Sequence, residues 1–230
     1  MSDSSIQQQI AYYRARAGEY DQWFFRQGRY DRGPELNARW FAEVEEIVSA
    51  LDRFHPSGNI LELACGTGLW TSRLEPHAKT MVAVDASPEV LAINRERVHS
   101  PKVTYVEADL FAWEPTHSEF DVAFFSFWLS HVPPAQFAAF WEKVGRILRP
   151  GGRVFFVDSL PAGSSSAIDH QLPDPNSIVQ KRKLNDGREY DVYKIFYVPA
   201  ELKKTLRQLG WIIEVKQTAS YFLYGSGQRT

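Results

Sequence analysis

The 230-residue chain sets 26 Lys and Arg against 28 Asp and Glu, a net charge of -2, with 44% hydrophobic residues. That length can bury one large core, while the charge and the lack of any run of five basic residues disfavour a nucleic acid partner. Cys65 is the one cysteine, which excludes an internal disulfide and a cysteine-built zinc site; with no secretory pattern at residues 1–9 and no bilayer-length apolar run, a soluble, cytoplasmic protein that crosses no membrane is expected.

Residues 5–30 hold Tyr12, Tyr13, Tyr20, Trp23, Phe24, Phe25 and Tyr30 among polar neighbours, more aromatic surface than a free tail carries. They are expected to fold as a helical cap over residues 1–33. Pro34 follows Gly33 as a first helical position, and Leu36, Trp40, Val44, Ile47, Val48 and Leu51 recur at helical spacing, which predicts an amphipathic helix over 34–53 covering one sheet face.

An apolar run then stops at Glu62-Leu63-Ala64-Cys65-Gly66-Thr67-Gly68, the pattern of a buried parallel strand entering a glycine turn where backbone can approach a ligand. Met81-Val82-Ala83-Val84 ends in Asp85, nineteen positions after Gly66, where an acid can reach the two hydroxyls of a ribose. A nucleoside-bearing cofactor is implied. Thr71 replaces the third glycine of a dinucleotide turn, and a phosphate loop is absent. Ser87-Pro88 opens a helix expected to run to about Val98.

Strands are predicted from Val103 towards Asp109 and over Phe120–Ser126, and a helix from Phe137, Phe140, Trp141, Val144, Ile147 and Leu148, stopped at Pro150-Gly151-Gly152. The Ser-, Pro- and Asp-rich stretch 159–177 reads as an exposed loop, and Asn185-Asp186-Gly187 joins two β-prone runs, 178–184 and 188–198, into an inserted hairpin. A helix over 199–209 stops at Gly210, followed by an antiparallel strand pair over 211–218 and 220–224.

These motifs together resemble the class I S-adenosylmethionine-dependent methyltransferases, whose first motif is [DE]xGxGxG; here Ala64 stands at the first glycine. The resemblance, over residues 60–158, implies an α/β fold: a Rossmann-like, doubly wound seven-stranded sheet, mostly parallel with the last strand antiparallel. The cap 1–33, the core 34–158, the loop and hairpin 159–198 and the closing 199–230 would form one domain. It implies S-adenosylmethionine as cofactor and S-adenosylhomocysteine as product. It places Glu62, Ala64, Gly66, Gly68, Asp85, Ala86, Asp109, Leu110 and Ser126 at the cofactor, Asp109 as the acid facing the adenine amino group, and Tyr13 and Tyr20 as lid groups at its amino acid tail.

Methyl transfer by in-line displacement needs an aligned acceptor, exclusion of water and removal of any acceptor proton. His131 lies just past the fourth strand, in Leu129-Ser130-His131-Val132, and is the candidate general base; the alternative is a histidine that bonds backbone before Pro133. Trp128, Trp23 and His131 are the candidate acceptor contacts, with Phe127 a further aromatic wall. Lys181-Arg182-Lys183 reads as a solvated strand face rather than a grip on an acidic acceptor. Val132-Pro133-Pro134-Ala135 lacks the acid or amide and the aromatic of the nucleic acid amino-methylating enzymes, and Asp158 and Asp169 show no metal-site spacing. The expected acceptor is a small organic molecule in an apolar, aromatic pocket. A non-catalytic cofactor-binding regulator and, more distantly, a nicotinamide dehydrogenase are the competing readings, with monomer and homodimer both open.

Overall fold

The structure, a computed structural model, describes residues 2–115, 120–170 and 177–230. Side chains along a strand alternate between faces, so a sheet covered on both sides needs apolar residues at consecutive positions. Strands β1 (Gly58–Leu63), β2 (Ala78–Asp85), β3 (Val103–Glu107), β4 (Phe120–Ser126) and β5 (Leu148–Ser159) run parallel, and the central β1 and β4 with the later half of β5 meet that need. Ile60, Phe124 and Phe155 face one layer, while Leu61, Phe125 and Phe156 face the other.

The first layer includes α3 (Pro34–Phe54), which buries Trp40, Val44, Ile47 and Leu51, with α4 (Thr71–Leu74) and α5 (Pro88–Val98). The second includes α6 (Pro134–Ile147) and α7 (Pro199–Gln208). With β8 (Trp211–Gln217) and β9 (Phe222–Arg229) the sheet order is β3-β2-β1-β4-β5-β9-β8, and β9 is antiparallel to both its neighbours. The order reverses between β1 and β4, where the carboxyl ends of parallel strands open a ligand crevice.

Three boundaries differ from the sequence reading. Strand β9 does not stop at Tyr224, because Gly225 and Gly227 serve close packing: a Cβ on Gly225 would lie 2.5 Å from the Phe156 ring, and one on Gly227 2.0 Å from the Ile212 carbonyl oxygen. Leu148 starts β5 opposite Phe120 instead of ending α6, and the strand passes through Pro150-Gly151-Gly152 with Gly151 at φ +78°. The second hairpin run ends at Tyr193 rather than Val198.

The cap comprises α1 (Ser2–Ala15) and α2 (Tyr20–Phe24). The inserted hairpin, β6 (Val179–Lys183) and β7 (Glu189–Tyr193), turns at Gly187, where φ is +91°. It docks on α1: Tyr12 packs with Leu184 and Val192, and Gln9 Oε1 accepts from Tyr193 N at 3.2 Å. The expected exposed loop is instead pinned over its described part. Arg26 and Arg32 donate to carbonyls of Gly163, Ser164 and Ser166, while Arg29 pairs with Asp169 at 2.6 Å; residues 171–176 of that loop lie outside the described residues. Among the described residues no helix is long and apolar enough to cross a membrane.

Candidate active site

At the end of β1 the chain must turn sharply, and the first small residue carries the strain. Ala64 sits at φ +53°, a left-handed conformation that a side chain disfavours, and Gly66 and Gly68 follow at +52° and +89°. Behind the turn, the buried Asn94 of α5 donates from Nδ2 to the Gly66 carbonyl at 3.2 Å and to Thr71 Oγ1 at 2.8 Å. Arg97 donates to the Thr67 carbonyl at 2.7 Å. These bonds draw the turn's carbonyls towards α5. On the open side, no atom lies within 4 Å of where a Gly66 Cβ would stand.

Asp85 closes this edge. Its Oδ2 accepts from Gly66 N and its Oδ1 from Ser87 N, each at 3.0 Å. Burial raises its carboxyl to about 6, against the opposing pull of those backbone donors.

A cavity of about 700 Å3 extends from the turn. Ala64, Gly66, Asp85, Ala86 and Ser126 line its sheet end, Asp109 and Leu110 its far wall, and Tyr13 and Tyr20 close it from the cap. A second cavity, of about 600 Å3, shares Tyr13, Tyr20, Phe127 and His131 with the first. Trp23 lies on its wall, its indole N–H fixed to the Ser165 carbonyl at 2.8 Å.

His131 stands between the two cavities. Its Nδ1 faces the Tyr193 carbonyl, which only accepts, so Nδ1 carries the proton and Nε2 accepts from the Tyr13 hydroxyl at 2.7 Å. Burial, and then the Lys194 ammonium, hold the imidazole well below its usual range, so it is neutral near pH 7. Burial raises the Tyr13 phenol well above its usual value.

Residues 60–152 match the family described as a methyltransferase domain. The chain superposes on DhpI in complex with SAH: TM-score 0.78 and 35% identity, covering 100% of this chain and 98% of that one. It belongs to the class I S-adenosylmethionine-dependent methyltransferases. A DhpI-SAM-HEP complex matches this methyltransferase similarly, at TM-score 0.77 and 35% identity over 98% of each chain. An uncharacterized methyltransferase of Synechocystis is 33% identical over 121 residues, 48% of this chain and 56% of that protein. The chain spans about half the length of the curated relatives it matches.

The cofactor of this methyltransferase is S-adenosylmethionine, and the first cavity fits it. The empty space over Gly66 admits a ligand against bare backbone, the Asp85 carboxylate sits at its rim, and Ala86, Val90, Leu110, Phe111 and Trp128 form an apolar slot suited to a purine.

Two expected contacts lie outside that cavity. Glu62 points behind the turn, where its Oε2 accepts from Thr71 Oγ1 at 2.6 Å. Gly68 backs onto α5, since a Cβ there would meet Asn94 Oδ1 at 2.6 Å. Trp128, expected at the acceptor, lines the cofactor cavity and packs on Phe111 with ring centroids 5.2 Å apart.

The sequence reading missed the charge of the second cavity. Arg16, Arg182 and Lys194 line it, with no carboxylate among its lining residues. Arg16 stacks over the rings of Tyr12, Tyr20 and Tyr30 at 5.0–5.8 Å and, among the described residues, forms no ion pair. Arg182, read as solvated, is half-buried; its Nη1 lies 3.2 Å from His170 Nδ1, and burial, then Arg182, lower that imidazole to about 4. Lys194 pairs with the buried Asp158 at 3.2 Å. Among the described residues, no group of three or more His, Cys, Asp or Glu side chains could hold a metal.

Proposed function

We propose that this methyltransferase modifies a small molecule carrying an anionic group, with His131 taking up the acceptor's proton through Tyr13. The carrying observation is the second cavity: three cations, two neutral imidazoles and four tyrosines around one space next to the cofactor site. A buried guanidinium without a carboxylate is costly unless an anion completes it, which favours a charged acceptor over the apolar one expected from the sequence. The existence of a complex of DhpI with both SAM and HEP supports a second ligand alongside the cofactor.

When bound, S-adenosylmethionine supplies a methyl group already activated on a sulfonium. Arg16 and Arg182 then hold the acceptor's anion, and Trp23 and Phe127 exclude water from the junction of the cavities. An acceptor that carries a proton donates it to Tyr13 Oη as the Tyr13 proton passes to His131 Nε2. The anion also offsets the cations that depress His131, which makes the imidazole a stronger base when the acceptor is seated.

A panel of size-matched acceptors, each offered as an anion and as a neutral amide or alcohol, tests the charge requirement with methyl-labelled cofactor. Turnover confined to the anionic members is expected, and equal kcat/KM for neutral partners would overturn it. His131→Gln and Tyr13→Phe should each lower kcat by about 100-fold or more for a protonated acceptor. Rates at saturating acceptor that stay near wild type across the pH range would remove the relay.

A further inference from the structure

One buried cation serves neither cavity directly. Lys143 of α6 is 8% exposed, and its Nζ donates to the carbonyls of Leu110 at 2.9 Å, Phe111 at 3.2 Å and Trp113 at 2.5 Å. Three donors meet three acceptors, so the ammonium is fully engaged. Those carbonyls close a short turn after β3. Ala112 N and Trp113 N both donate to the Asp109 carbonyl, at 3.0 and 2.7 Å, and Phe111 N donates to Asp109 Oδ1 at 2.9 Å. Such a turn exposes its last carbonyls as a helix end does, and a cation there satisfies them. Asp109, Leu110 and Phe111 are cofactor-cavity walls.

The anchor itself is rigid. Trp141, Val144 and Ile147, on either side of Lys143 along α6, are fully buried against the sheet. Glu114 adds little: it lies 3.5 Å from Nζ but is 63% exposed. The orientation of the Asp109 carboxylate and the depth of Leu110 therefore depend on a side chain that does not itself line the cavity.

We infer that Lys143 is a positioning residue for the nucleobase of the cofactor, setting the Asp109–Phe111 wall against the purine edge. The inference rests on the reading of Asp109 as the acid facing the adenine amino group. Lys143→Met keeps the length of the stem and removes all three donors, leaving the carbonyls unpaired. Its affinity for S-adenosylhomocysteine should fall about tenfold, the scale set by one or two lost buried hydrogen bonds.

The discriminating readout is base preference. Titration calorimetry with S-adenosylhomocysteine and with S-inosylhomocysteine, which differ at the amino-bearing position, gives an affinity ratio for each protein. Wild type should prefer the adenine form, K143M should lose most of that preference, and Lys143→Arg should recover it. The KM for acceptor at saturating cofactor should stay within about twofold of wild type, because the acceptor cavity shares no wall with this turn. A folded K143M, or a folded Lys143→Gln where the Met variant does not fold, that keeps the wild-type ratio would overturn the inference, as would equal loss for both nucleosides. A wild-type protein that binds both equally would remove the adenine-facing role of Asp109 and the inference with it.

Discussion

Glu62→Gln isolates the cost of an acid buried behind the glycine turn. Glu62 is 1% exposed, and burial raises its carboxyl from 4.5 to about 8, with the Thr71 hydroxyl opposing the shift and Asp85 adding to it. An acid whose folded pKa exceeds its unfolded one keeps a proton that the unfolded chain releases. Stability therefore falls as pH rises from 4.5 and levels off only beyond 8. At about 1.4 kcal/mol per pH unit, the loss between pH 4.5 and 7 is about 3 kcal/mol. Glutamine has nearly the same shape, cannot ionise, and can still accept from Thr71 Oγ1. The two proteins should match near pH 4.5, and the variant should exceed wild type by about 3 kcal/mol at pH 7. Urea unfolding of both cofactor-free proteins from pH 4.5 to 8 reads the difference, since the titration of groups that do not interact with Glu62 cancels and Asp85 is the one coupled acid that raises it. Parallel stability profiles would refute the reasoning, because Glu62 would then ionise alike in both states.

Two further outcomes follow from the same turn. Ala64→Gly relieves a left-handed backbone at φ +53° and partly offsets that gain through a more flexible unfolded chain, so stability should rise by up to about 1 kcal/mol; a loss in urea unfolding would mean that the methyl group packs more than it strains. Asp85, raised to about 6 in the free protein, should have to shed a proton before gripping ribose hydroxyls below that pH. Affinity for S-adenosylhomocysteine should fall by about tenfold from pH 7.5 to 5, whereas Asp85→Asn should bind weakly with no such slope; a flat wild-type profile would contradict this.

The cofactor half of the molecule was legible because its signals are local. A strand end, the glycine turn and the next strand's terminal acid lie within 28 residues, Gly58 to Asp85, and backbone geometry forces them to one crevice. Where the reading went astray, the deciding contact was distant in sequence. The last strand was ended at Tyr224 because nothing local announces the Phe156 ring that Gly225 packs beneath. Gly68, expected at the cofactor, also leaves room for Asn94 where its side chain would stand, a contact that nothing local announces. Arg182 alternates with exposed Lys181 and Lys183, which is the pattern of a solvated strand face, and only docking of the hairpin on the cap turns it inward.

That docking explains why the second cavity was the harder half to read. Arg16 comes from the cap, Arg182 and Lys194 from the hairpin and its exit, and His131 from the end of β4, so the charged space arises only when segments over 160 residues apart meet. The link is apolar at one end, Tyr12 against Leu184 and Val192, and polar at the other, where Gln9 bridges the His131 carbonyl and Tyr193 N. Tyr13 follows Tyr12 on the same helix, so the packing that buries one ring also delivers the other's hydroxyl to His131. The fold thus separates two spaces: strand ends line the cavity that fits the cofactor, while the cap and hairpin bring Arg16, Arg182 and Lys194 to the second cavity beside it.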